Sequence, residues 1–348
     1  MTKISTIRKH LGYSGFPLGT YGLEIETEVK LQKDYPNGFL MHVSNDDEGH
    51  KIFETPKMKK WIAKTDGSLR NYGIEYIFKA PYTFEDSVSA LKEFAEETRG
   101  IPFLKDQPST SVHVHINVSN ETPLVMANFI TVWMLFENLL LDFSGPTRRS
   151  SCFAQGSRIA EEVVANCVKM FKTLSKSPNG IVFSQQHVKY AALNLGCLAK
   201  LGSLEIRSFR GTTDVDEIIL WLSVIDKILE FSRTPGLTPK EFFTSYHQKG
   251  IELLSDVFGQ YSSLLKCEGY IEMIERQEKY LYDIVTSVKN WETFGLDYEA
   301  LTLKIEKSRS KKTATQDFLQ QAHQSMYTLA TNAPNAFTIT TDEFETFE

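Results

Sequence analysis

The 348-residue sequence predicts an α+β fold: a mainly antiparallel sheet, helices packed outside it, and a helical C-terminal third. Two observations carry this. Segments of period two come first, then strands and helices mix, then helical patterns run on alone. No GxGxxG or GxxxxGK[ST] is present, so Rossmann and P-loop architectures lack their signatures.

The first element is a strand over residues 20–30. Tyr21, Leu23, Ile25, Thr27 and Val29 alternate with Gly22, Glu24, Glu26, Glu28 and Lys30, which puts three glutamates on one face. A polar loop is expected over 36–49. Two short strands follow, around 61–69 and 73–79, with a turn near Arg70. Thr83 and Asp86 read as a capping box opening a helix with Phe84, Val88, Leu91 and Ala95 on one stripe. Residues 109–118 alternate again: Val112, Val114, Ile116 and Val118 against Ser111, His113, His115 and Asn117. Thr122-Pro123 starts a long apolar helix. A loop with Arg148-Arg149, a candidate contact for a substrate carboxylate or a plain surface pair, leads to a helix near 159–174. Strands are expected over 189–196 and 203–209, with Ser203, Glu205, Arg207 and Phe209 on one side of the second. Asp214 and Glu217 cap a helix running to about Arg233, and residues 238–307 are helical in pattern. The division expected is a catalytic domain over 1–235, a helical extension over 236–312 packed on it, and an acidic tail over 313–348.

Composition excludes several classes. Residues 313–348 hold five acids and no Lys or Arg; without them the net charge of −6 falls to −1. A nearly neutral body lacks the basic footprint of a nucleic-acid binder. The N-terminus shows no apolar h-region, so no secretory signal is expected. The most apolar stretch, 124–143, carries Asn128, Glu137, Asn138 and Asp142, which suits a buried helix rather than a membrane span. Cys152, Cys167, Cys197 and Cys267 form no CxxC pair, and reduced thiols in a cytoplasmic protein are the expectation.

The chemistry lies in four strands whose polar faces carry acids or imidazoles: Glu24-x-Glu26, Asp66 with Glu75, His113-x-His115, and Glu205-x-Arg207. Members of each x-separated pair project from one side of a strand, about 6–7 Å apart. Singly, each has an ordinary reading as a solvated face, a turn or a surface ion pair. Together, carboxylates from several strands on one face would repel unless cations lay between them. Oxygen donors with imidazole suit Mg²⁺ or Mn²⁺ better than zinc.

These residues resemble the amidoligase family, within the superfamily of glutamine synthetase and glutamate–cysteine ligase. The resemblance runs through Tyr21-Gly-Leu-Glu24-Ile-Glu26, Lys64-Thr-Asp66-Gly-Ser-Leu69, Gly73-Ile-Glu75, His113-Val-His115, Ala192-Leu-Asn194-Leu195 and Leu204-Glu205-Ile-Arg207-Ser-Phe-Arg210-Gly-Thr212, and covers roughly residues 19–231. It implies a curved antiparallel sheet whose concave face holds ATP and two or three divalent ions. Glu24 and Glu26 would then serve different ions. Asp66 and Glu75 resemble a second acidic set, with Asp66 standing where the family usually has Glu. His113 and Glu205 resemble the His and late Glu that join Glu24; spacing alone leaves His115 as the alternative. Arg207 resembles the arginine that meets the transferring phosphoryl group. Arg210, Lys189 and Asn194 are further candidate nucleotide contacts, although strict alternation turns Arg210 away from Arg207 unless the strand bulges.

The expected activity is ATP-dependent amide-bond formation between a small-molecule or peptide carboxylate and an amine, with Glu26, Glu205 and Arg207 central to it. Glu28 is a candidate base or a strand-end surface charge. The alternatives are a metal-dependent phosphoryl hydrolase using the same cluster, and a non-catalytic nucleotide-binding protein.

Overall fold

A computed structural model describes residues 6–8, 19–46, 49–105, 107–146, 148, 151–152, 154–157, 161–174, 190–289 and 291. The acidic tail expected over 313–348, and Lys189 and Arg149, lie outside the described residues.

Eight strands form one curved, open sheet: β1 Tyr21–Val29, β2 Met41–Asn45, β3 Lys51–Glu54, β4 Trp61–Lys64, β5 Tyr72–Phe78, β6 Ser111–Asn117, β7 Leu193–Asn194 and β8 Ser203–Arg210. Their order is β2-β3-β4-β5-β1-β6-β8-β7, and every pairing is antiparallel. The fold is α+β, as the sequence predicts. β1, the strand with the three glutamates, lies between β5 and β6.

Two segments depart from expectation. Residues 36–49 are not all loop: Met41–Asn45 pair with Lys51–Glu54 as a hairpin at the sheet edge, with a bulge between His42 and Ser44. Polar composition hides a strand whose stability comes from pairing with β3. The strand expected over 189–196 contracts to Leu193–Asn194, because helix Cys197–Leu201 begins at once and ends on Gly202 in the left-handed region, φ 65°.

The helices, in chain order, are α1 Phe84–Glu97, α2 Pro123–Phe143, α3 Glu161–Leu174, α4 Cys197–Leu201, α5 Val215–Ser232, α6 Pro239–Lys249, α7 Leu253–Phe258 and α8 Tyr270–Thr286. Their starts follow local chemistry. Thr83 Oγ1 accepts the Asp86 N–H at 3.1 Å, while the Asp86 carboxylate turns to Lys60, so only half of the expected box forms. Thr122 caps α2 ahead of Pro123, and Asp214 caps α5 through the Asp216 and Glu217 N–H groups.

The helices cover one face of the sheet. Trp61 of β4 donates to the Ala90 carbonyl of α1 at 3.0 Å, Tyr21 bonds Asp226 of α5, and Phe209 stacks on Trp221 with centroids 5.0 Å apart. α2 lies deeper, because α8 packs over its other side: Gln277 reaches Glu137 at 2.9 Å, and Asn138 reaches the Met273 carbonyl at 3.1 Å. Burial from both sides explains why this 21-residue helix is apolar nearly all round. Among the described residues it is the one helix long and apolar enough to cross a membrane, and 83% of its apolar window is buried in the protein.

Candidate functional site

Three cross-strand rows run over the face opposite the helices. In one, Lys64 of β4 lies opposite Glu75 of β5, which lies opposite Glu26 of β1. In the next, Ile77, Glu24 and His113 follow one another across β5, β1 and β6. In the third, Gly22, His115, Glu205 and Asn194 line up across β1, β6, β8 and β7. The ExE, HxH and ExR spacings thus become neighbours across strands. Gly22 has a steric reason here: a Cβ at this position would stand 3.2 Å from that of His115.

The side chains converge and are almost fully buried. Glu24 meets His113 Nδ1 at 2.9 Å and His115 Nε2 at 3.1 Å. Glu205 bonds Arg207, and its other oxygen accepts from Asn194 at 2.6 Å and Cys197 Sγ at 3.1 Å. Ser111 donates to Glu26 at 2.5 Å and lies 2.7 Å from His113 Nε2. With its single O–H given to Glu26, the serine oxygen accepts from His113 Nε2, which leaves Nδ1, facing Glu24, as the nitrogen able to bind a cation. Glu24, His115 and Glu205 bring donor atoms within 4.8 Å of one another, as do Glu26, Asp66 and Glu75; Glu24, Glu75 and His113 form a third group between them. Both histidines converge on Glu24, so the choice left open by spacing is not forced by position.

Electrostatics follow from this packing. Burial pushes the Glu24 carboxyl up, but His115 and His113 outweigh it and hold the group well below the usual range. Burial likewise opposes Glu205, and Arg207 with the two histidines brings it to about 2. Glu75 goes the other way: burial and the charges of Glu24, Asp66 and Glu26 push it up to about 8 despite Lys64. Two unit charges 4 Å apart cost about 4 kcal/mol at an effective dielectric near 20. Among the described residues, five carboxylates here face the ammonium of Lys64 and the guanidiniums of Arg207 and, near Glu26, Arg148. Such a set, mostly oxygen with imidazole, fits divalent magnesium or manganese.

The expected positions resolve as follows. Glu24, Glu26, Asp66, Glu75, His113, His115, Glu205 and Arg207 come together. Asn194 also joins them, through Glu205. Asp66 forms a turn with Ser68, its Oδ1 accepting the Ser68 N–H at 2.6 Å.

The β6–β8 register sets Val112 opposite Phe209 but Val114 opposite Ile206, so Arg207 and Ser208 form a bulge. Phe209 therefore turns to the helices, against the alternation expected for it. Arg210 falls opposite Ser111 in the register, but its guanidinium is held away from the cluster acids, by Glu217 of α5 at 2.7 Å and over the Phe209 ring at 5.1 Å. Glu28 is no surface charge: it is fully buried, and it accepts from Arg70 N at 2.7 Å, Asn71 Nδ2 at 2.7 Å and Ser109 Oγ at 2.6 Å. Those bonds clamp the turns that carry Asp66 and Ser111. They explain how Asn71 is held at φ 53°.

Nothing in the sequence pattern gives Ser111 or Lys64 a role, and Arg148 reads there as either a substrate contact or a surface residue. Ser111 stands one alternation step before His113, which was the available signal. Arg148 is 1% exposed and bonds the backbone carbonyls of Arg207 at 2.6 Å and Ser208 at 3.3 Å. It thereby holds the bulge. Burial lowers its guanidinium to about 10, which leaves it charged at neutral pH. Arg148→Met should destabilise the chain by about 1–3 kcal/mol, because two buried carbonyls lose a charged donor. Urea unfolding checks this, and an unchanged midpoint would remove Arg148 from this role.

Beside the cluster lies a small cleft of about 60 Å³, bordered by Gly22, Glu24, Ile77, Pro81, His115 and Ser203. Neither a protein-family model nor a curated protein matches this chain.

Proposed function

We propose that this chain is an ATP-dependent, magnesium-requiring carboxylate–amine ligase of the amidoligase kind. The observation that supports the reading best is the convergence of Glu24, Glu26, Asp66, Glu75, Glu205 and two histidines from separate strands onto one face, with Arg207 bonded to Glu205. The amidoligase resemblance implies this constellation, in this order along the chain.

A carboxylate does not condense with an amine at neutral pH, because oxide is too poor a leaving group. Transfer of the ATP γ-phosphoryl group to the carboxylate releases ADP and gives an acyl phosphate. The amine then attacks the acyl carbon, loses a proton, and expels phosphate. Both steps shift negative charge between oxygens, so positioning and cationic stabilisation dominate catalysis. Glu24, His115 or His113, and Glu205 would hold one divalent ion; Glu26, Asp66 and Glu75 would hold another. Bound there, magnesium or manganese supplies charge neutralisation for the phosphate oxygens.

Arg207 is suited to the transferring phosphoryl group. Glu205 fixes its guanidinium, and the buried Nε has no partner among the described residues. Asn194 and Cys197 orient the Glu205 carboxylate in turn. Glu28 is a poor base for the amine, since its oxygens already accept three hydrogen bonds away from solvent. Four free cysteines suit a reducing, cytoplasmic compartment.

The test is an ADP-release screen against panels of carboxylates and amines with Mg²⁺ or Mn²⁺. Release that requires a metal, a carboxylate and an amine together is expected. Phosphoester cleavage without ATP would favour a hydrolase, and nucleotide binding without turnover a non-catalytic protein.

A further inference from the structure

The sheet edge that carries Arg207 is thin. β7 is two residues long and pairs with Ile206 and Glu205 of β8. Just before it, the Ala192 carbonyl accepts the Arg207 N–H at 2.9 Å. So short a strand has too few ladder bonds to fix an edge by itself. The loop 154–157 closes its outer side. The Gln155 N–H donates to the Tyr190 carbonyl at 2.7 Å, and the Gln155 carbonyl accepts the Ala192 N–H at 2.8 Å, a parallel bridge around Ala191.

The loop is anchored in turn from the helical side. Ser157 donates to Glu137 Oε2 of α2 twice, from its N–H at 2.7 Å and its hydroxyl at 2.5 Å. Gln277 of α8 donates to the same carboxylate oxygen at 2.9 Å and to Ser157 Oγ at 3.2 Å. Trp133 Nε1 donates to the other oxygen at 3.1 Å. Glu137, Ser157 and Gln277 are 2%, 1% and 0% exposed. Water therefore cannot replace a missing donor, and the carboxylate fixes the loop firmly. Gly156 allows the close fit: a Cβ there would stand 3.0 Å from Leu141 Cδ1.

We propose that Gln277 and Glu137 are positioning residues for Arg207. Through Ser157 and the backbone bonds of Gln155 and Ala192, they hold the edge that aims the Arg207 guanidinium at Glu205. The helical C-terminal segment, which lies beyond the reach of the amidoligase resemblance, is thereby a working part of the site. What holds the edge does not depend on the ligase reading; the effect on turnover rests on it.

The test is residue-resolved amide hydrogen exchange of the full chain, with ADP release beside it. Gln277→Leu and Ser157→Ala should each speed exchange at Ala192 and Arg207 about tenfold, and leave the β1–β5 ladder at wild-type rates. In the ligase assay both should lower kcat about tenfold or more with the KM for ATP nearly unchanged, as expected when Arg207 is misaimed for a contact made in the transition state.

Unchanged exchange at Ala192 and Arg207 in both variants would overturn the proposal. So would a uniform rise across the sheet, which would make these residues ordinary core supports. Faster local exchange with kcat intact would overturn the positioning role. Wild type without turnover would overturn the ligase reading and leave exchange to decide the rest. Ser157→Ala, which removes one hydroxyl, decides where Gln277→Leu fails to fold.

Discussion

Glu26→Ala should abolish metal-dependent ADP release while leaving the chain folded. Glu26 sits in the middle strand of the face, opposite Glu75, and carries the Ser111 bond that orders His113. Replacing residues that merely orient metal ligands commonly costs 10–100-fold, so loss of a ligand should exceed about a hundredfold. The fold should survive, because the change removes one of five carboxylates gathered on this face, four of them buried, that repel one another. The loss of one hydrogen bond, about 1 kcal/mol, is offset by that relief. Melting in EDTA should therefore shift little or upward, while turnover disappears. Undiminished turnover in a folded Glu26→Ala protein would end the ligase proposal.

The second large effect concerns Glu75 and pH. Its carboxyl is raised from 4.5 to about 8 by burial and by its acidic neighbours. Below the unfolded value both states are protonated. Between about 4.5 and 8 the folded state binds more protons than the unfolded one, so stability falls as pH rises through this window and is flat above it. Glu205, brought to about 2, acts in the opposite sense: its contribution is present above 4.5 and is lost as pH drops toward 2. In EDTA, Glu75→Gln should thus match wild type near pH 4.5 and exceed it by a few kcal/mol above pH 8, since one pKa unit corresponds to about 1.4 kcal/mol. Denaturant unfolding at the two pH values measures the difference. An equal gap at both would show that Glu75 ionises normally in the fold.

Much of the site could be read from the chain alone because its signals are local. Period two on β1 put Glu24 and Glu26 on one face, and period two on β6 did the same for His113 and His115; both hold in the structure. Helix starts at Thr122 and Asp214 were legible because a cap is a short-range hydrogen bond. Other features depended on partners far along the chain. Alternation alone would send Phe209 to the acid face and Arg210 away from it. The bulge turns Phe209 to the helices and sets Arg210 opposite Ser111 in the register, and it is created by pairing with β6 and held by Arg148 from another loop. Glu28 looked like its neighbours on β1, yet two remote turns close over it.

The sequence by itself determined the fold class, the central strand and the set of acids and imidazoles, because side-chain alternation and capping are decided within a few residues. Only the tertiary structure decided which charges became neighbours: Lys64 with Glu75, Ser111 between Glu26 and His113, Arg207 against Glu205. Register and bulges arise from hydrogen bonds between distant strands, and an ionisable group's energy is a sum over all the charges that folding brings within a few ångströms of it.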